Sequence, residues 1–372
     1  MSWQEQSSGR IVHSYEGRFP FRATSREWRW RDQRETIVAM EAIPLIRARY
    51  LQAFAEVFEK MGVRSTRVLE DLGIPESVIE DPEGLHPATQ LFTFAGRAAR
   101  LTQRADLGLV AGRTKLEDHG VFGARVSRSL TLHQALGTFC AEALREYSRA
   151  HFWIERRGET TWFCREKIDG SPIERQQVEL YLVELMLQTI RTVAGHAWRP
   201  RELWLQTDGE RQLRDVEPLT GLNVRFDSPI LAIPIPRKLM IRTLPRGLRD
   251  RSHGESSGVV GESPATDFVG SLKQALRIYL SSGYLRIETA AEAAGTSVRT
   301  LQRRLSAVGL SYSRVVDEVR LQTTLPLLED PKTPVTEIAY GVGYSRLSHF
   351  TRAFRRWAGV SPSEYRANLL RS

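Results

Sequence analysis

A helical unit occurs twice near the C-terminus, and this repeat restricts the folds open to that part of the chain more than any other feature. Residues of the first copy match residues of the second at an offset of 48 or 49 positions. The matched pairs are Ala290 and Ile338, Ala291 and Ala339, Gly295 and Gly343, Val298 and Leu347, Leu301 and Phe350, Leu305 and Phe354, and Val308 and Trp357. Each copy predicts a short helix of small residues, a turn with a glycine, and a second helix with one apolar face.

This order of elements is typical of a helix-turn-helix. Small side chains let the two helices cross closely, the glycine supplies the positive φ that a short turn requires, and a serine can cap the second helix. In such a unit the second helix lies in the DNA major groove with its early residues at the base edges. We therefore predict an all-α DNA-binding domain with two helix-turn-helix motifs over residues 267–372.

The outward faces of the two second helices carry the candidate DNA contacts. They are Arg299, Thr300, Gln302, Arg303 and Arg304 in the first copy, and Ser348, His349, Thr351, Arg352, Arg355 and Arg356 in the second. Arginine can donate two hydrogen bonds to guanine, and glutamine can pair in the same way with adenine. Arg304, Arg355 and Arg356 are better placed for phosphates. A single helix with such arginines is usually only a solvated face, but two matched copies favour DNA binding.

The distribution of charge agrees with an acidic partner. The chain has 53 Lys and Arg against 44 Asp and Glu, which gives a net charge of +9. Residues 267–372 hold 15 basic and nine acidic residues, so that most of the excess lies in the repeated units. Nucleic acid is the partner that this distribution favours.

A helix from Tyr312 to Glu329 is predicted to join the two units. At 1.5 Å per residue it is about 27 Å long, close to one turn of DNA once the flanking units are added. One monomer can thus reach two successive faces of the major groove. Pro326 falls inside this helix, where it removes a backbone hydrogen bond or kinks the helix, and so affects the angle between the units.

The rest of the chain divides into three parts. Residues 1–39 show no sustained period and are expected to be a disordered or non-native extension, with Met40 as the working start. Residues 40–245 predict an α+β domain, with a helix that begins near Pro44, a second helix over 131–147, and paired strands across "RRGE". Residues 246–266 are rich in Gly, Ser and charge, which predicts a flexible linker.

The sequence gives little support for an enzymatic function. It has no Gly-rich phosphate loop, no His-Glu-x-x-His pair and no nucleophile elbow. We interpret His119, His133 and His151 as structural residues, and Trp153, Trp162 and Trp204 as core residues. Cys140 and Cys164 are too few for a metal cluster, so no metal or cofactor is expected. Because no run of eighteen apolar residues and no signal peptide is present, we expect a cytoplasmic protein without a membrane partner.

The repeated tail resembles the AraC/XylS family of bacterial transcription regulators. The similarity to the family's signature segment rests on Gly343, Tyr344, Phe350, Arg352, Phe354, Arg355, Gly359, Ser361, Pro362, Tyr365 and Arg366. The region from "IPLIRARYLQAF" to "IPIPRKLM" is more loosely similar to the arabinose-binding-type sensor domain of one branch of the family.

The resemblance implies a transcription regulator, with promoter DNA as the partner of the tail and an unidentified small-molecule effector bound by the sensor domain. Activation, a homodimer and a contact with RNA polymerase are further expectations. The residues that bind the effector are not indicated. A sequence-independent architectural DNA-binding protein is the alternative, and competition between specific and random duplexes separates the two.

Overall fold

The computed structural model describes residues 41–245, 261–280, 283 and 285–369, apart from the side chains of Glu210 and Arg211. The predicted N-terminal extension, the proposed start at Met40 and the first part of the predicted linker, 246–260, lie outside the described residues. Within the described ranges, no helix combines the length and the apolar composition needed to cross a membrane.

The N-terminal region contains both helices and strands, as predicted. Its helices are α1 (Ala48–Lys60), α2 (Ser65–Asp71), α3 (Ala88–Thr102), α4 (Leu107–Ala111), α5 (Gly120–Ser127), α6 (Leu132–Glu146), α7 (Pro172–Ala194), α8 (Glu210–Leu213) and α9 (Arg237–Met240), with 3-10 turns at Glu76–Ile79 and Leu116–Asp118. Its strands are β1 (Leu45–Arg47), β2 (Leu85–Pro87), β3 (Phe152–Arg157), β4 (Thr160–Arg165), β5 (Glu202–Trp204), β6 (Asn223–Arg225) and β7 (Leu231–Pro236).

Five of these strands form one sheet in the order β3-β4-β7-β5-β6. All pairs in it are antiparallel except β5 with β6. The predicted hairpin across "RRGE" is confirmed, with Trp153 opposite Cys164 and Arg157 opposite Thr160. One face of the sheet, which includes Phe163, packs on the helical core, whereas Trp162 lies on the opposite face.

Two helices of this region begin at residues that cap them. The Thr131 hydroxyl accepts a hydrogen bond from the Gln134 N–H at 3.3 Å at the start of α6. At the start of α7, Pro172 occupies the first turn and the Glu174 carboxylate accepts from the Ser171 N–H at 2.9 Å. Because α7 is buried around most of its circumference, it forms the centre of the N-terminal core.

The helix that we predicted to begin near Pro44 begins later, at Ala48, so that prediction was wrong. Residues Leu45–Arg47 instead form β1, which pairs antiparallel with β2 in the register Ile46 opposite His86. The backbone N–H and C=O groups of the two strands form hydrogen bonds with each other, whereas in a helix these groups would bond within the same segment. Because strand side chains alternate, Leu45 and Ile46 enter different cores.

The C-terminal region is entirely helical in its described part. It consists of α10 (Phe268–Arg277), α11 (Ile287–Ala293), α12 (Val298–Ala307), α13 (Tyr312–Glu329), α14 (Val335–Gly341), α15 (Leu347–Ala358) and α16 (Pro362–Leu369). The predicted helix pairs are α11 with α12 and α14 with α15, and α13 joins them. Helix α13 runs on through Pro326 and ends three residues later at Glu329.

The matched apolar positions of the two pairs are buried only in part. Leu301, Leu305, Phe350 and Phe354 have almost no exposed surface, as predicted. The outermost positions are less covered: Val298 and Trp357 are half-buried, and Leu347 and Val308 are exposed. These residues lie at or near the ends of short helices, where fewer neighbours cover a side chain.

The two helix pairs belong to different hydrophobic cores. The core of α11 and α12 continues through α10 to Ile43, Leu45 and Leu85 of the N-terminal region. The core of α14 and α15 is separate and contains Leu328, Ile338, Ala339, Val342, Phe350 and Phe354. The first pair is therefore built onto the N-terminal region, whereas the second is attached through α13.

Residues 261–266, which we predicted to be flexible, are hydrogen-bonded to both regions. The buried Gln274 side chain of α10 accepts from the Ala265 N–H at 2.7 Å and donates to the Ser263 carbonyl at 2.9 Å. Arg47 Nη2 donates to the Glu262 carbonyl at 2.7 Å. A buried amide and a buried guanidinium both require such partners, so this end of the predicted linker is fixed.

Alanine at Gly343 is expected to lower the free energy of unfolding by about 2–5 kcal/mol, because it adds steric overlap to the strain of a left-handed backbone. The backbone φ is +84°, and a Cβ atom would lie 2.5 Å from the Leu280 carbonyl oxygen. Gly295 is the matched control, because its φ is +60° but no atom lies within 4 Å of the added Cβ. Its substitution should cost only about 1–2 kcal/mol.

Urea denaturation of both variants measures this difference. Equal losses would show that the turn of the second helix pair does not press against the end of α10.

Candidate nucleic-acid interface

Helix α12 presents a polar face opposite its buried leucines. Its N-cap is Ser297, whose hydroxyl accepts from the Thr300 N–H at 3.2 Å. Arg299, Gln302 and Arg303 are exposed, and Thr300 is half-buried. The cap fixes where the helix starts. Residues three or four positions apart lie on the same side of a helix, so Arg299, Gln302 and Arg303 share one face with Thr300 beside them.

Helix α15 presents the corresponding face of the second pair. Ser348, His349, Arg352, Arg355 and Arg356 are exposed, and Thr351 is half-buried. Four of these residues line one open surface depression together with Leu347: Ser348, Thr351, Arg352 and Arg355. The N-cap residue is Arg346, without a side-chain cap, so the serine cap predicted for this copy is absent.

The predicted phosphate contacts are not equivalent in the structure. Arg304 is half-buried, with its guanidinium 5.0 Å from the centroid of the Phe268 ring, so it faces α10 and not the outward set. Arg356 lies 2.9 Å from the Asp317 carboxylate of α13. Arg355 lies 3.8 Å from Glu364, and both side chains are exposed, so this ion pair is weak.

Arg303 and Arg352 remain as the matched pair. They occupy equivalent positions in the two copies and both are exposed. Among the described residues, no carboxylate lies within ion-pair distance of either guanidinium. Two such arginines on separate helices can each donate a pair of hydrogen bonds to a planar acceptor such as a guanine edge.

Arg320 of α13 is a residue that the sequence analysis missed. Its Nε donates to the Val342 carbonyl and its Nη2 to the Gly283 carbonyl, each at 3.2 Å. Its guanidinium also lies 4.8 Å from the centroid of the Tyr344 ring. Because Gly283 belongs to the loop before α11, whereas Val342 and Tyr344 follow α14, Arg320 connects the two helix pairs. Its place within a predicted spacer helix carried no signal of this role.

The end of the signature segment also helps to hold the second helix pair in its orientation. Arg366 donates to the Leu328 carbonyl at 3.2 Å and to the Thr333 carbonyl at 2.7 Å. The Tyr365 ring meets Phe354 edge to face, with centroids 5.7 Å apart. These contacts hold α16 against the end of α13, so Arg366 has a structural role.

The side chain of His119 is held by hydrogen bonds inside the N-terminal region. His119 is buried, its Nδ1 lies 2.9 Å from the Lys115 carbonyl and its Nε2 lies 3.1 Å from the Tyr181 hydroxyl. Burial lowers the pKa of His119 to about 4, so it is neutral near pH 7. Among the described residues, His, Cys, Asp and Glu form no cluster that could hold a metal ion.

The three strand tryptophans lie together on the sheet face away from the helices. Trp162 is buried, and Trp153 and Trp204 are packed against it. Arg157 and Arg225 lie over the rings of Trp162 and Trp204, at 5.6 and 5.0 Å from their centroids. Their predicted role as core residues applies to a small second core.

Comparison with known proteins assigns both regions. The family described as the arabinose-binding domain of AraC transcription regulators matches residues 62–244, and the family described as a helix-turn-helix domain matches residues 290–368. The chain is 36% identical to the HTH-type transcriptional regulator VirS of Mycobacterium tuberculosis over 88% of its own length and 98% of that protein.

Two further comparisons have lower sequence identity. The ornithine utilization regulator of Pseudomonas aeruginosa is 25% identical over 87% of this chain and 96% of its own length. The crystal structure of the transcriptional regulator CdpR from Pseudomonas aeruginosa aligns with 83% of this chain at 21% identity, with a TM-score of 0.34.

Replacing Arg320 with methionine is expected to weaken binding to a full two-groove duplex by about 10-fold, because loss of both hydrogen bonds frees the angle between the helix pairs. Binding to a half-site should change little. Fluorescence anisotropy on duplexes selected from a random pool measures both. Arg314→Met is the control, because Arg314 lies on the same helix and its guanidinium bonds to Glu318 of that helix. Equal weakening on half-sites would contradict the role of Arg320 as a connection.

Proposed function

Because this chain belongs to the AraC family of transcription regulators, we propose that the outward faces of α12 and α15 read the bases of a promoter operator, under the control of a small effector bound by the N-terminal region. The observation that carries the proposal is the matched pair Arg303 and Arg352, exposed at equivalent positions of the two helices.

The spacing of the helices supports contact with two turns of the groove. Helix α13 has 18 residues, which corresponds to about 27 Å of rise. The guanidinium of Arg320 bonds the loop before α11 and the turn after α14 together, which supports a fixed relation between the two helix pairs. A fixed spacing costs less ordering entropy on binding than a free one, so both helices can engage the duplex together.

The remaining exposed residues divide into two groups in this proposal. Arg299, Gln302 and Ser348 lie in the early turns and are assigned to base edges or to the adjacent backbone, together with Thr300, His349 and Thr351. Arg355 and Arg356 lie late in α15 and are assigned to phosphates, which makes binding depend on salt. Arg304 is left out of the interface because it packs on Phe268.

The shared core supports control by the N-terminal region. Leu45 and Leu85 pack in the same core as α10, α11 and α12, so a shift of the paired strands β1 and β2 also displaces the first helix pair. The second pair has a core of its own and does not follow directly. An effector that moves these two strands would therefore change the relation between the two reading helices, which is the differential effect that control requires.

A homodimer, activation of transcription and contact with RNA polymerase remain predictions from the family. Sequence-independent architectural binding remains the alternative function, since exposed arginines bind any duplex to some extent. The test below separates it from operator recognition.

Arg303→Ala and Arg352→Ala are each expected to lower affinity for a selected operator by about 1–3 kcal/mol, because each removes one bidentate base contact. Affinity for random duplex should stay nearly unchanged. Arg156→Ala, an exposed arginine of β3, is the matched control. Equal losses on random DNA would reassign the two arginines to phosphates, and a wild-type protein without preference for any selected sequence would favour the architectural alternative.

A further inference from the structure

The helices α12 and α15 begin with different residues. At the start of α12, Ser297 is the N-cap, and its hydroxyl accepts from the Thr300 N–H at 3.2 Å. At the matched position of the second copy, Arg346 is the N-cap of α15, and its side chain makes no cap hydrogen bond. A guanidinium contains only donors, so it cannot accept from the N–H groups that begin a helix. The second copy therefore has an arginine where the first has a working cap.

This arginine lowers the stability of the helix that it begins. The helix macrodipole places partial positive charge at the N-terminus, which repels a cation. Serine, threonine, aspartate and asparagine are favoured at an N-cap because each supplies an acceptor for the first N–H groups, and arginine supplies none. The sequence thus departs from a local rule of helix stability, and such departures are expected where function requires the residue.

The side chain of Arg346 has no compensating partner in the described structure. It is exposed, and no described carboxylate lies within ion-pair distance of its guanidinium. Its backbone is nevertheless fixed, because its carbonyl accepts from the N–H groups of His349 at 3.1 Å and Phe350 at 3.3 Å. The guanidinium is therefore held at a defined end of α15 and is free to bind an anion.

Arg346 lies at the end of α15 that enters DNA in a helix-turn-helix. The next residue, Leu347, lines the open depression that also contains Ser348 and Arg352. The early residues of such a helix lie at base edges in the major groove. Because Arg346 comes before these residues, where the chain enters the helix, its side chain lies closer to the sugar-phosphate backbone that borders the groove.

We propose that Arg346 contacts a DNA backbone phosphate, and that this contact is the reason for an arginine at a position where a cap would stabilise the helix. The inference rests on the proposed function, because it adds a residue to the interface of α15. A bound phosphate reverses the cost of the arginine, since an anion is favoured at a helix N-terminus and accepts a pair of hydrogen bonds from a guanidinium. The same residue thus destabilises the free helix and stabilises the bound one.

The contact makes the two helix pairs unequal. With Arg346, the second pair has three arginines assigned to phosphates, together with Arg355 and Arg356. In the first pair, Arg304 packs on Phe268 and is not available for this role. The second pair therefore supplies most of the salt-dependent affinity, and the first pair binds mainly through base edges.

The test uses the full chain with three substitutions at this position. Arg346→Ser installs the cap of the first copy, Arg346→Met removes the charge without adding a cap, and Arg346→Lys keeps the charge. Fluorescence anisotropy measures affinity for a selected operator and for a random duplex over a series of salt concentrations. Thermal unfolding measures the stability of the free protein.

Arg346→Ser is expected to gain stability and lose affinity for DNA. Its thermal midpoint should rise by about 2–4 °C, because a cap is gained and a repelled charge is removed. Its affinity should fall by about 10-fold on the operator and on the random duplex alike, because a charged hydrogen-bonded contact is lost. The slope of log affinity against log salt concentration should decrease in magnitude by about one, the change expected for one phosphate.

The other two substitutions separate charge from capping. Arg346→Met should lose as much affinity as Arg346→Ser, with a smaller gain in thermal midpoint, because it supplies no acceptor. Arg346→Lys should keep the salt slope of the wild type. Arg156→Met, at an exposed position of β3, lowers the net charge by the same amount and should bind both duplexes as the wild type does.

Each remaining outcome counts against the proposal. An unchanged salt slope in Arg346→Met, or a loss no larger than that of Arg156→Met, would overturn the phosphate contact. A loss confined to the selected operator would assign Arg346 to a base edge and would also overturn it. A thermal midpoint of Arg346→Ser below that of the wild type would contradict the cost assigned to the arginine. A wild type without preference for any selected sequence would contradict the proposed function, whereas the random duplex alone decides the phosphate contact.

Discussion

The three-residue strand β1 is the element on which the arrangement of this protein depends. Its neighbouring side chains point to opposite sides because a strand has a period of two, so Leu45 enters the core of the first helix pair and Ile46 enters the core of the N-terminal region. Arg47 then donates to the carbonyls of Glu83 and Glu262. One short strand therefore joins two cores and the segment that connects them.

This junction makes the two helix pairs unequal partners in DNA binding. The first pair is part of a core that includes the N-terminal region, and the second pair has a core completed only by α13 and α16. What holds the second pair in place is a small set of polar and steric contacts, chiefly Arg320 and the close approach of Gly343 to the Leu280 carbonyl. Because these contacts lie outside both cores, breaking them would free the angle between the helix pairs without unfolding either core.

Most buried charged groups of the N-terminal region have hydrogen-bond or ion-pair partners. Glu146 is satisfied by Tyr50 and two arginines, and Glu179 by two backbone N–H groups, although burial raises the pKa of Glu179 to about 7. Arg165 has no carboxylate within ion-pair distance among the described residues, and Glu179, Asp169 and Glu166 act on its charge from farther away.

The sequence by itself determined the elements that depend on local chemistry. The repeated apolar spacing predicted both helix pairs, the sequence placed a helix over 131–147 where α6 lies, and the turn "RRGE" predicted the β3–β4 hairpin. It also predicted the outward positions of Arg303 and Arg352, because helical periodicity decides which side chains face away from a buried leucine or phenylalanine. With these, it determined the family.

Only the tertiary structure decided the features that depend on contacts between distant residues. The partner of β1 lies some forty positions away, so no local pattern distinguishes that strand from the start of a helix. Arg304 resembles its neighbours in sequence but faces Phe268, and Arg320 is an ordinary spacer residue in sequence until Gly283 and Val342 are placed beside it. The small cavity lined by Phe54, Phe139 and Leu185 exists only where α1, α6, α7 and the sheet meet, because a cavity is a property of packing and has no period along the chain.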